Sequence, residues 1–185
     1  MKYKIVTSGK TKIVTLGEIS RNLKVSSEVY ALSDSEIYLG LISHKTLVFF
    51  ATEFAEYAIK NYTRDRVPEA DLCISLIRKW ISGDTSVSKS LSSAANAAAA
   101  VASYSGEAAT SYSTEAAFYA YYAANAAANA ANANSDYAAA DANVNAVYAA
   151  YYASDAAGVD KDKEFIRQGE FILDFLKCGK NLFLV

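Results

Sequence analysis

His44 is the only histidine of the chain. A di-metal site in a helical bundle draws on two Glu-x-x-His pairs, which one histidine cannot supply. His44 also has no cysteine at metal-ligand spacing and no Ser or Cys nucleophile at a motif distance, so a structural or capping role is expected. Cys73 and Cys178 sit in apolar helical contexts and read as reduced, buried thiols. There is no glycine loop to cradle a phosphate and no Ser/His/Asp order. Catalysis, a metal and a cofactor are therefore not expected. Asn61-Tyr62-Thr63 matches a glycosylation acceptor, which has meaning only in a secreted chain.

What remains is recognition chemistry, carried by carboxylates and tyrosines. From Ser90 to Asp160 there is no Lys, Arg, His or Pro, and the stretch carries a charge of −6 in a chain of net −2. Glu107, Glu115, Asp136, Asp141 and Asp155 are the acids with a candidate partner-binding role. Tyr119, Tyr122, Tyr148 and Tyr152 join them, because tyrosine offers a large apolar ring and a polar tip to an interface. A solvated acidic face and a tyrosine-filled core are the plainer alternatives.

The stretch from Ala94 to Ala157, with thirty alanines in 64 residues, must position these groups. Alanine is the strongest helix former because it loses no side-chain entropy. It buries little area, so the tyrosines must supply much of the apolar surface. Tyr112, Glu115, Tyr119 and Tyr122 recur at helical spacing, as do Tyr137, Asp141, Val144, Tyr148, Tyr151 and Tyr152. One helix would be roughly 96 Å long, and the breakers argue for three, over about 86–104, 108–131 and 135–157. Gly106 suits a position just past a helix end, Asn132 to Asp136 offers N-caps, and Gly158 closes the last piece.

The N-terminal part has a different periodicity. Lys2 to Thr7 and Lys10 to Thr15 alternate around Ser8-Gly9 and predict a β-hairpin, its lysines guarding an edge. Residues 16–32 loosely match a helix-turn-helix, but Lys24 stands where the turn usually has glycine; a short helix and a strand are preferred. Another strand is expected between Glu36 and Ile42. Residues 45–62 are apolar on two faces, along Leu47, Phe50, Ala51, Phe54, Ala58 and along Val48, Ala55, Ile59, Tyr62, which predicts a helix buried on both sides. Pro68 opens a helix over 68–82 with Cys73, Leu76, Ile77, Trp80 and Ile81 as its core face. A last helix is expected to begin near Asp160, with Phe165, Ile166, Gly169, Ile172, Leu173 and Leu176 as a continuous apolar face. Asn181 to Val185 form an apolar C-terminus. The expected fold is mainly α, an alanine- and tyrosine-rich antiparallel helical bundle over 46–185 with a small mixed segment over 1–45.

One resemblance follows from the order of motifs. Phe50-Ala51, Ala55-Glu56, Asp65-Arg66-x-Pro68 and Ile77-Arg78-x-Trp80-x-x-Gly83 precede an alanine-rich tail. This order resembles a family of alanine-rich helical proteins of bacteria and phages labelled immunity proteins, over roughly residues 46 to 157. The resemblance implies an all-helical core and a neutralising, protein-binding role, and it carries no catalytic residues over. The chain departs from that family in having no Arg or His in its alanine region and in its N-terminal segment.

The resulting expectation is a non-enzymatic inhibitor, carried by a phage or mobile element, that neutralises a bacterial effector with a basic surface, such as a toxin or a CRISPR-type defence nuclease. No signal peptide and no run of 18 strongly apolar residues is visible, so the expected location is the host cytoplasm, away from the membrane. Direct contact with nucleic acid is not expected from the net charge. The alternatives are a DNA-binding regulator using residues 16–32 and a purely structural, self-assembling bundle, including a homodimer. Ice binding ranks last, because a regular threonine ladder is missing.

Overall fold

The computed structural model describes residues 1–62, 68–107, 128, 131 and 136–178. They form a mainly α structure with a small antiparallel sheet. Strands β1 (Lys2–Thr7) and β2 (Lys10–Thr15) make the expected hairpin. Ser8 and Gly9 both take positive φ, 50° and 75°, the two-residue turn that matches the right-handed twist of paired strands. β3 (Glu28–Leu32) pairs with β1, and β4 (Ile37–Leu41) pairs with β3, giving the order β2-β1-β3-β4. Gly40 lies opposite Val29 and Tyr38 opposite Tyr30, so Leu39 is the extra residue of a bulge on the edge strand β4. Tyr3, Ile5, Val14 and Val29 are buried under the sheet.

Residues 16–32 are a 3₁₀ turn at Leu16–Glu18, the one-turn helix α1 (Ile19–Asn22) and strand β3. This is the short helix and strand preferred above; no recognition helix follows α1. Ile19, Leu23 and Val29, which gave the segment its helix-turn-helix look, are core residues of a helix-to-strand connection.

Helix α2 (His44–Tyr62) buries the first predicted stripe and Val48 and Ala55 of the second, whose Ile59 and Tyr62 are half-buried against the core, and α3 (Pro68–Ile81) buries the five predicted core residues. Ser43 caps α2 by accepting from the Thr46 amide at 3.1 Å, while His44 packs edge-on against Trp80 at 5.7 Å. Helix α4 (Ser88–Glu107) runs through Gly106, which therefore does not end it. Helices α5 (Asp136–Ala156) and α6 (Lys161–Lys177) complete the described chain; α6 buries Phe165, Gly169, Ile172, Leu173 and Leu176 as expected, but Ile166 is exposed, because it falls beside the buried stripe and not on it. The expected helix over 108–131 and the C-terminal apolar run lie outside the described residues, apart from Ala128 and Ala131, which are buried. Asp160 stands at the N-cap of α6, but its carboxylate pairs with Lys163 at 2.7 Å and caps no amide.

α2 is the central helix. It packs along α5, touches α3, and meets α6 through aromatic rings. Phe50 lies edge-on to Phe175 at 5.2 Å, and Phe49 also reaches Phe175 at 5.2 Å. On the α5 side, Ala146, Ala149, Ala150, Ala153 and Ala156 are buried. Side chains this small let the two axes approach closely. α6 crosses back over the Leu16–Glu18 turn and α1. A Cβ on Gly169 would stand 2.2 Å from the Leu16 carbonyl oxygen, so the crossing requires glycine. The sheet and the helices share one hydrophobic core, from Tyr3 and Ile5 to Leu173 and Leu176.

The two thiols differ. Cys73 is fully buried, and burial pushes its thiol up to about 12. Cys178 is exposed, contrary to expectation, because it falls just past the last turn of α6, where the chain leaves the core.

Candidate protein interface

The buried alanines of α5 fix its orientation, and therefore fix what its other side presents. Val144, Tyr148 and Tyr151 stand at i, i+4 and i+7, and are 51%, 48% and 42% exposed. Tyr152 is half-buried and packs on the core. It is stacked on Tyr148 at 5.8 Å and lies edge-on to Tyr151 at 6.2 Å. The inner ring thus props the two outer ones into a ridge. An alanine helix has no long polar side chains to cover such rings, and they stay in contact with water.

Asp155 and Lys161 close one end of the ridge. The Lys161 ammonium pairs with the Asp155 carboxylate and lies 4.1 Å from the centre of the Tyr151 ring, an arrangement attractive to the ring's negative face. Asp155 is only 17% exposed at its side chain, and its charge is matched within the molecule.

Below the ridge, α5 and α6 are joined by a buried polar network. Glu164 is 3% exposed and receives both Arg167 nitrogens, Nε to Oε2 at 2.7 Å and Nη2 to Oε1 at 2.6 Å. The Arg167 guanidinium also lies 3.5 Å from the centre of the Tyr57 ring. Gln168 Nε2 faces three acceptors: the Ala150 carbonyl at 3.0 Å, Ser154 Oγ at 3.1 Å and Glu164 Oε1 at 3.1 Å. Three acceptors around one atom require the amide nitrogen there, which sets the side chain's orientation. Gln168 Oε1 then has no hydrogen-bond partner among the described residues. Burial, and next the Glu164 carboxylate, raise the Tyr62 hydroxyl well above its usual range. This network fixes α6 against α5 and α2, and with them the base of the ridge. Glu164, Arg167 and Gln168 escaped the sequence reading. Their i, i+3, i+4 spacing was visible, but it is also the pattern of a solvated helix face.

The nine candidate residues are therefore not assembled into one described site. Tyr148, Tyr152 and Asp155 come together on α5. Asp136 and Asp141 belong to the same helix, and Glu107 is the last described residue of α4. Glu115, Tyr119 and Tyr122 lie outside the described residues. Among the described residues, no three His, Cys, Asp or Glu side chains are grouped to hold a metal, and no helix is long and apolar enough to cross a membrane. Compared with protein-family models, curated proteins and solved structures, the chain has no match in any of the three.

Proposed function

We propose that this chain is a non-enzymatic inhibitor, encoded by a phage or mobile element, that binds and neutralises a bacterial effector protein. The exposed ridge of Val144, Tyr148 and Tyr151 carries this reading. Half-exposed rings held in place from beneath lose little entropy on binding and offer the apolar anchors that dominate interface energetics. The inhibitory role rests on the motif order over 46–157 and on the acidic stretch from Ser90 to Asp160. The effector is a toxin or a CRISPR-type nuclease with a basic groove, occupied sterically and electrostatically. With Asp155 matched by Lys161, the electrostatic part falls to Glu107, Glu115, Asp136 and Asp141. The helical part is read as an antiparallel bundle that presents these groups from the host cytoplasm.

The test is capture from a bacterial lysate with the natural chain and with a Tyr148→Ser/Tyr151→Ser variant. The expected result is one stoichiometric toxin or nuclease, inhibited on titration, whose affinity falls at least about 30-fold in the variant, as for loss of a binding hot spot. Recovery of the chain alone, or of an effector that binds both forms equally, overturns the reading.

A further inference from the structure

The charge of this molecule is divided in space as well as along the sequence. Between Lys10 and Lys24 there are four cations, Lys10, Lys12, Arg21 and Lys24, and one acid, Glu18. The fold gathers them on one flank. Lys10 and Lys12 lie on β2, the edge strand, opposite Thr7 and Ile5. Thr7 Oγ1 meets Ser27 Oγ at 2.6 Å, and the same hydroxyl accepts from the Lys24 amide at 2.9 Å, which draws Lys24 beside the Lys10 end of the hairpin. Lys12 donates to the Asn22 side chain, which ties β2 to α1. Arg21 on α1 spreads its guanidinium over the Phe165 ring at 4.3 Å.

All four side chains are exposed. Among the described residues none of them is in an ion pair. Glu18 lies among them: the Thr15 amide and hydroxyl hold its carboxylate at 2.8 and 2.7 Å and, with the nearby charges of Arg21 and Lys12, keep it below its usual range. The acids of the sheet, Glu28 and Glu36, belong to β3 and the β3–β4 turn, on the far side of β1. The flank is a row of four cations with the single acid Glu18 among them, an excess of positive charge spread over a strand edge, a one-turn helix and the loop after it. Such a row fits a ligand with regularly spaced negative charges better than a single carboxylate or ion.

We infer that the β2 edge and α1 bind the phosphate backbone of a nucleic acid, through Lys10, Lys12, Arg21 and Lys24. The contact is made to phosphates and reads no sequence. It is independent of the α5 ridge and of the inhibitor reading.

The test is fluorescence anisotropy with a short labelled single strand and with its duplex. Four phosphate contacts predict binding that weakens about 100-fold for the duplex between about 50 and 200 mM salt. Lys10→Glu/Lys12→Glu/Lys24→Glu should abolish it with an unchanged circular dichroism spectrum, since all three side chains are exposed. Should the glutamates disturb β2, Lys10→Gln/Lys12→Gln/Lys24→Gln should still lower the salt slope by about 2.7. The Tyr148→Ser/Tyr151→Ser variant should bind as the natural chain does, which separates this site from the ridge. Preference for the single strand or the duplex identifies which nucleic acid supplies the phosphates. Absence of binding at low salt, or binding insensitive to the glutamine substitutions, overturns the inference. Equal displacement by polyglutamate also overturns it, by assigning the flank to an acidic protein surface.

Discussion

At the scale of single residues, a few positions hold the described structure to one arrangement. Gly169 is the sharpest case, because the obstacle is backbone. The Leu16 carbonyl oxygen stands 2.2 Å from where a Cβ would be, and it cannot rotate away as a side chain could. Gly169→Ala should cost about 3 kcal/mol, at the upper end of overpacking penalties, and urea unfolding would register it as a lower midpoint with an unchanged slope. A stability equal to that of the natural chain would mean that α6 does not cross the Leu16–Glu18 turn this closely. The Glu164 pair with Arg167 has a different character. Taking the carboxylate out of water is costly, and the bidentate contact together with Gln168 offsets that cost. Its role is positional, since it fixes how α6 meets α5 and therefore how Tyr152 is supported.

At the scale of elements, α5 has two sides with opposite tolerances. Ala149 is fully buried on the side that contains Ala146, Ala150 and Ala153, whereas Val144 and Tyr148 face water. Ala149→Leu should destabilise by about 1–3 kcal/mol, because the added atoms have no free volume to enter. Val144→Ser/Tyr148→Ser should change stability by only about 0.5 kcal/mol, as surface substitutions do. Thermal melts of the two variants would check this, and a reversed order would place the tyrosines in the core and remove the ridge. The edge strands also differ. β2 carries Lys10 and Lys12, while β4 has no charge and instead has its bulge at Leu39. Both are means of discouraging further strand pairing, and only the lysines leave free charge for a ligand.

At the scale of the whole molecule, three tyrosines share one electrostatic consequence. The hydroxyls of Tyr3, Tyr30 and Tyr62 all titrate above their usual value, in each case first because burial penalises the phenolate. A group with a raised folded pKa adds stability that is fully present below its unfolded value, here about 10, and that is lost as pH rises through the folded value. Stability should therefore fall on the alkaline side, beginning near pH 10, and tyrosine absorbance should change together with unfolding. Titration of all the rings before any loss of circular dichroism would contradict this. The sequence by itself determined the element types. Alternation over Lys2 to Thr15 gave a hairpin, the two apolar stripes of 45–62 gave a helix buried on both sides, and Pro68 marked the start of α3. These follow from local periodicity, which a sequence displays directly. Net charge and spacing could not reveal that Asp155 is matched by Lys161, that Cys178 is exposed, or that Lys24 joins Lys10 and Lys12 on one flank. Such relations are set by which surfaces meet in three dimensions. Alanine leaves this choice especially open, because its one small side chain suits almost any face of a helix, and only the packing of α5 on α2 decided which tyrosines reach water.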